Sequence, residues 1–243
     1  MNIILFNKLK NINSLSINDD RGKHIINVLK LSEGDTFKCG VLNSHSGIGT
    51  ITSIDSNNIK FSYIERNNKT ILPLPLTIIV GAVRPICLKR MIRAAGECGV
   101  KRIIIAGTDL GEKSYLNSSY IKSNEIYTTL IEGTIQSGTT FVPTISFFDT
   151  LDIAISEFIV KDEINKIVFD NKIEFYQTPV SSLATSDLIY NESVVIIGSE
   201  RGFTDRERTI IQNAKFSPFK LGNRILRSET AFITSLYPFI IQS

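Results

Sequence analysis

The chain has 243 residues, 42% of them hydrophobic and 21% charged, which is enough apolar material for a packed core and excludes wholesale disorder. A chain of this size buries roughly 70–75% of its extended surface, so it needs no disulfide or metal scaffold for stability. The formal charge of +3 is uneven: residues 1–70 carry nine Lys/Arg against six Asp/Glu, whereas residues 71–243 carry eighteen of each.

In chain order, residues 1–70 read as short strands. TFKCGVLN, GIGTITSID and NIKFSYIER are β-rich runs separated by turn residues such as Ser46-Gly47 and Ser56-Asn57-Asn58. One helix is expected at 21–31, where His24, Val28 and Leu31 share a face after the cap-like Asp19-Asp20. These features describe a small β-barrel-like unit with one helix. The stretch Ile71-Leu72-Pro73-Leu74-Pro75-Leu76 alternates two prolines and reads as an extended linker, giving domains at 1–70 and 77–243 joined by 71–76. Beyond it, apolar runs at LTIIVGAV, KRIIIAGT, PTISFFD, KIVFD, SVVIIGS and FSPFKLG alternate with helical stretches near 86–98, 117–137, 150–160, 204–214 and 228–241. Continuous apolar runs between helices indicate parallel strands covered on both faces, hence an α/β domain. Thr204-Asp205-Arg206-Glu207 is a capping box at the start of one helix.

Several chemistries are not encoded. There is no phosphate-binding G-x-x-x-x-G-K-[ST], no G-x-S-x-G elbow and no H-E-x-x-H, and Gly47-Ile48-Gly49 reads as a turn. With only His24 and His45 and no cysteine pair nearby, no metal site is expected. Cys39, Cys87 and Cys98, odd in number and without C-x-x-C spacing, suggest reduced thiols in a cytoplasmic protein. The start MNIILFNKLK lacks a signal-peptide pattern, and no apolar stretch is long enough to span a bilayer, so no membrane association is expected.

The informative region lies near the end. Gly198-Ser199-Glu200-Arg201-Gly202-Phe203 follows one apolar strand, and Leu221-Gly222-Asn223-Arg224-Ile225-Leu226-Arg227-Ser228-Glu229-Thr230-Ala231 follows another and leads into the last helix. Two glycine-bearing loops thus sit at the carboxyl ends of parallel strands, where open α/β sheets place ligands. The plainer alternative is a pair of ordinary strand–helix turns, capped by Thr204 and Ser228.

These two segments resemble the I-G-P-E-G-G-[FL]-[ST] and L-G-x-R-[IV]-L-R-x-E-T-A motifs of the RsmE-type 16S ribosomal RNA (uracil-N3) methyltransferases of the SPOUT superfamily. The second match is nearly complete over eleven positions; the first departs at Ser199, where proline is usual, and at Arg201, where glycine is usual. His24 to Lys30 is similar to the family's H-x-x-x-V-L-R, Glu97-Cys98-Gly99-Val100 to E-L-G-V, and Glu132…Gln136-Ser137-Gly138 with Val142-Pro143 to E-x-x-x-Q-S-G-R…V-P, with Thr139 where Arg is usual.

The resemblance implies an amino-terminal PUA-like β-barrel that helps hold RNA and an α/β methyltransferase domain tied in a trefoil knot. It implies a homodimer that binds S-adenosylmethionine and acts on 16S ribosomal RNA or the small ribosomal subunit. The cofactor would be lined by Gly198, Ser199, Glu200 and Gly202, by Leu221, Gly222, Ile225 and Leu226, and by Thr230 and Ala231 at the helix start. Arg227 is the candidate for stabilising the uracil anion or gripping phosphate, since its planar fork suits oxygen acceptors. Glu229 is the candidate for orienting Arg227 or removing the proton, the plainer reading being an Arg227–Glu229 pair that closes the loop. Arg rarely adopts the positive φ that Gly allows, so Arg201 either fits the loop or weakens it. The alternatives are a weak or inactive relative that only binds RNA or ribosomes, and an α/β enzyme using another nucleotide. Pro238 is expected to disturb the last helix, and that helix, apolar nearly all round, to meet either its own core or a second subunit.

Overall fold

The structure, a computed structural model, describes residues 2–66, 71–161, 163–176 and 191–241. The chain forms two compact units: the described residues up to Leu72 together with Thr134–Val142, and Pro73–Gly133 together with the described residues from Pro143. The expected boundary at residue 70 lies outside the described residues.

The first unit is a five-stranded sheet. Its strands are β1 (Ile4–Phe6), β2 (Ile12–Ser16), β3 (Thr36–Val41), β4 (Ser46–Ile54) and β5 (Asn58–Glu65), in the order β1-β3-β4-β5-β2. The last three match the β-rich runs; β1 and β2 were not expected, being too short to show an alternating pattern. Gly47-Ile48-Gly49, expected in a turn, lies inside β4. Period-2 alternation sends Phe37, Cys39, Ile51, Ile59 and Phe61 into one core, where Phe61 packs against Phe6 and Phe37 at ring separations of 5.5 and 5.3 Å. The expected 21–31 helix is shorter and changes form: α1 (Asp20–Lys23) continues as a π-helical turn over His24–Val28. The wider turn, closed by the Leu29 N–H donating to the His24 carbonyl at 2.9 Å, rotates the helix so that Ile25 is buried and Val28 exposed.

The second unit is a six-stranded, wholly parallel sheet. β6 (Leu74–Gly81), β7 (Val100–Ala106), β8 (Thr144–Phe148), β9 (Asn165–Phe169), β10 (Ser193–Ile197) and β11 (Ser217–Phe219) lie in the order β11-β9-β10-β6-β7-β8. Every residue of β10 is buried, as expected of a strand covered on both faces. Leu74–Leu76, read as linker, already belong to β6. The helices are α2 (Pro85–Glu97), α3 (Ser119–Lys122), α4 (Glu125–Ser137), α5 (Leu151–Ser156), α6 (Asp205–Asn213) and α7 (Ser228–Ile240). The expected 117–137 helix is broken because the Ser123 hydroxyl accepts from the Glu125 N–H at 3.2 Å and restarts the helix there. α4 crosses the boundary between the units, so its last residues are assigned to the first. Pro238 does not end α7, which runs through it to Ile240. Pro238 has no N–H to donate to the Thr234 carbonyl, so α7 continues with that one bond missing.

Candidate ligand cleft and its loops

Three loops leave the carboxyl ends of adjacent strands β11, β9 and β10 and enclose a cleft of 320 Å³. Eight of the ten expected cofactor residues line it: Gly198, Ser199, Glu200 and Gly202 from the loop after β10, and Leu221, Ile225, Leu226 and Ala231 around the start of α7. Gly222, with φ +86°, forms the turn behind Leu221, and neither it nor Thr230 borders the cleft. The expectation carried by the resemblance did not include the loop after β9, whose Phe169, Asp170, Asn171 and Lys172 form another wall. The available signal was the one that marked the other two loops: an apolar strand run ending in turn-forming residues, Asp170-Asn171.

The loop after β10 is a tight turn. The Gly202 N–H donates to the Ser199 carbonyl at 2.9 Å, and the positive φ falls on Gly202 at +74°. Arg201 is not among the residues with positive φ, so it occupies this loop without backbone strain. Gly81, the last residue of β6, is what lets the loop lie so close. A Cβ there would stand 2.4 Å from the Ser199 nitrogen and 2.9 Å from the Gly198 carbonyl carbon. Glu200 is held sideways by Arg84, whose Nε donates to Glu200 Oε1 at 2.8 Å.

Helix α6 anchors the same loop from below. The capping box is complete: the Thr204 hydroxyl accepts from the Glu207 N–H at 3.2 Å, and Glu207 Oε2 accepts from the Thr204 N–H at 2.8 Å. Glu207 is fully buried, and its other oxygen accepts from the Asp109 N–H at 2.9 Å, tying this loop to the one after β7. Asp109 and Asp152 both pair with Arg206 at 2.7 Å, and the guanidinium holds both carboxyls below their usual range. Beneath the loop after β9, Arg208 and Asp170 form a buried, bidentate pair with contacts of 2.7 and 3.3 Å. The Tyr176 hydroxyl donates to Asp170 at 3.0 Å, and burial pushes that hydroxyl upward.

The start of α7 differs from expectation in two respects. Arg227, not Ser228, is the N-cap residue, and its side chain makes no cap hydrogen bond; in the first turn the Glu229 N–H is engaged by its own carboxylate. Arg227 and Glu229 do not form an ion pair; Glu229 turns instead to Arg90 of α2, at 3.3 Å. A hydrogen bond from its own backbone N–H, one from Cys87, and the charges of Arg90 and Arg227 hold its carboxyl below the usual range, against the opposing effect of burial. Burial and Glu229 in turn push the Cys87 thiol up.

A parallel α/β unit with a ligand-sized cleft at its strand ends, preceded by a small β-rich unit, has counterparts among known proteins. Residues 70–238 match the family model described as an RNA methyltransferase domain, and residues 17–62 match that described as an RNA methyltransferase PUA domain. The class is thus that of RNA methyltransferases with a PUA domain. Ribosomal RNA small subunit methyltransferase E 1 of Borreliella burgdorferi is 33% identical over 233 residues, covering 96% of this chain and 94% of the relative. Ribosomal RNA small subunit methyltransferase E of Treponema pallidum is 32% identical over 237 residues, covering 95% and 87%. The chain belongs to the ribosomal RNA small subunit methyltransferase E family. A solved structure of such an enzyme from Neisseria gonorrhoeae, bound to S-adenosyl methionine, shares the fold with a TM-score of 0.78 at 18% identity, covering 98% of this chain and 95% of that one.

Proposed function

We propose that this protein methylates N3 of a uridine in small-subunit ribosomal RNA with S-adenosylmethionine as methyl donor, in the cytoplasm. The observation that carries the reading is the convergence of both motif loops on one cleft at the start of α7. The residues suit that cofactor. Phe169, Ile197, Leu221, Ile225 and Leu226 offer apolar walls to an adenine ring, and the positive end of the α7 dipole suits a carboxylate. Ile225 is 88% exposed, an unusual state for isoleucine that a bound ligand or a second subunit would relieve. The unstrained Arg201 favours this active reading over an inactive relative.

S-adenosylmethionine supplies a methyl group to uracil N3, whose proton leaves to solvent and whose lone pair forms the new bond as sulfur takes back the old bonding pair. Arg227 stabilises the negative charge on the uracil oxygens, its planar fork matching such acceptors. Glu229, held ionised, is a weak base; it acts as a positioning residue that ties the start of α7, and with it Arg227, to Arg90. The cleft loops would align donor and acceptor, which is most of what methyl transfer from a sulfonium cation to a uracil anion requires of a protein.

The amino-terminal sheet would close as a PUA-like barrel and share in RNA binding, and the α/β domain would end in the trefoil knot of the SPOUT superfamily. A homodimer is supported by α7. It buries Phe232, Leu236 and Phe239 in its own unit yet leaves Ile233, Tyr237, Ile240 and Ile241 exposed, an apolar face that a second copy would cover.

Incubation of the protein with S-adenosylmethionine and small ribosomal subunits, followed by nucleoside mass spectrometry, tests the reading. The expected product is 3-methyluridine; methylation elsewhere on the base or ribose would refute the N3 assignment. Light scattering should give about twice the chain mass of 27.1 kDa, and an active species at 27.1 kDa would refute the dimer.

A further inference from the structure

The arginines of the second unit fall into two groups. Arg84, Arg90, Arg93, Arg102, Arg206 and Arg208 each pair with a carboxylate. Arg201, Arg224 and Arg227 have no carboxylate partner among the described residues; the first two line the cleft, and Arg227 is the N-cap of α7 beside it. Lys172, exposed on the loop after β9, adds a fourth unpaired cation at the same place. The other six arginines of the unit are thus neutralised by carboxylates, whereas those on the cleft loops are left open to a ligand.

Arg201 is the most telling of them. It is exposed, borders the cleft, and also borders a smaller cavity lined by Tyr115 and Glu112. Its neighbour Glu200 is already engaged by Arg84 and so does not neutralise it. Its backbone needs no glycine, and the turn is closed by Ser199 and Gly202, so no structural demand accounts for an arginine here. A guanidinium on a rigid turn, free on its solvent side, is suited to a bidentate oxyanion.

We propose that Arg201 and Lys172 each bind a backbone phosphate of the RNA strand that delivers its base to the cleft, contacts that rest on the methyltransferase reading above. The occupant is a phosphodiester rather than the cofactor's carboxylate, because Arg201 lies on the exposed lip shared with the second cavity, whereas the positive end of α7 offers a carboxylate a place of its own.

The test titrates fluorescent oligouridylate against full-length protein at increasing salt, with S-adenosylmethionine binding measured separately by calorimetry. Each phosphate contact on a single strand contributes about 0.7 to the slope of log affinity against log salt. Arg201→Gly should therefore flatten the slope by about 0.7, and the double variant with Lys172→Ala by about 1.4. Arg201→Lys, which keeps the charge, should keep the slope. An unchanged slope in Arg201→Gly overturns the proposal, as does weaker cofactor binding with RNA binding intact, which would assign Arg201 to the cofactor. Failure of the wild-type protein to bind S-adenosylmethionine would instead strike the methyltransferase reading, leaving the RNA slopes to decide the phosphate contact.

Discussion

Replacing Gly81 by alanine tests the link between sheet geometry and the cleft. The new methyl carbon would lie 2.4 Å from the Ser199 nitrogen, 2.9 Å from the Gly198 carbonyl carbon and 2.9 Å from Thr108 Cγ2. Ordinary contact requires about 3.5–4 Å, so the backbone of the loop after β10 must retreat by roughly 1 Å. Two of these obstacles are main-chain atoms, which do not swing aside as a long side chain would. Overpacking of this kind costs about 1–3 kcal/mol, and in a chain of this length each kcal/mol lowers Tm by about 2–4 °C. The larger effect should fall on function, because a displacement of about 1 Å in a positioning element costs on the order of a hundredfold in rate. Thermal unfolding together with S-adenosylmethionine calorimetry reads both. The expected outcome is a modest fall in Tm with at least a tenfold loss of cofactor affinity. A lowered Tm with unchanged affinity would show that the Ser199 loop does not hold the cofactor, and no change in either would show that the loop yields freely.

Arg227→Lys should lower methyl transfer far more than cofactor affinity, since Arg227 stands outside the cleft lining; an equal loss in both would assign it a structural role. Glu207→Gln keeps one acceptor oxygen but faces either the Thr204 or the Asp109 N–H with an amide donor, so it should cost about 1–3 kcal/mol in thermal or urea unfolding; a loss below about 0.5 kcal/mol would refute the role of Glu207 as a tie between two loops. In the first unit, Arg21 donates to Asp19 and lowers its carboxyl to about 2. A folded value below the unfolded 3.8 means that this stabilisation is present above about pH 4 and is lost as the pH falls through about 2. Asp19→Asn should therefore destabilise at pH 7 and converge with the wild type near pH 2; a pH-independent difference would contradict the pair.

Much of this architecture was legible because its signals are local. Uninterrupted runs such as SVVIIGS report strands buried on both faces, and the Thr204–Glu207 box marks a helix start without reference to anything distant. The glycine-bearing ends of β10 and β11 pointed to the cleft for the same reason, since a loop leaving a strand carries its turn chemistry in adjacent residues. Where local signals were short or competing, the reading drifted. β1 spans three residues, too few to alternate, and the π-helical turn over His24–Val28 presents Ile25 inward because sheet packing selected that face over the one containing Val28.

What no local pattern could supply is the pairing of groups far apart in sequence. Arg227 and Glu229 are two residues apart and look like partners, yet the packing of α7 on α2 brings Glu229 to Arg90 and leaves Arg227 free. Glu200 meets Arg84 across 116 positions, and Arg208 meets Asp170 across 38. Gly81 reads as nothing more than the end of an apolar run until the parallel register of β6 with β10 sets it against Ser199. Residue type and spacing determine which elements form and which ends carry ligand chemistry, because hydrogen-bonding and burial periodicities are properties of neighbours along the chain. Which charge is neutralised and which is left open depends on strand order and helix packing, since electrostatic interaction depends on distance through space rather than along the chain.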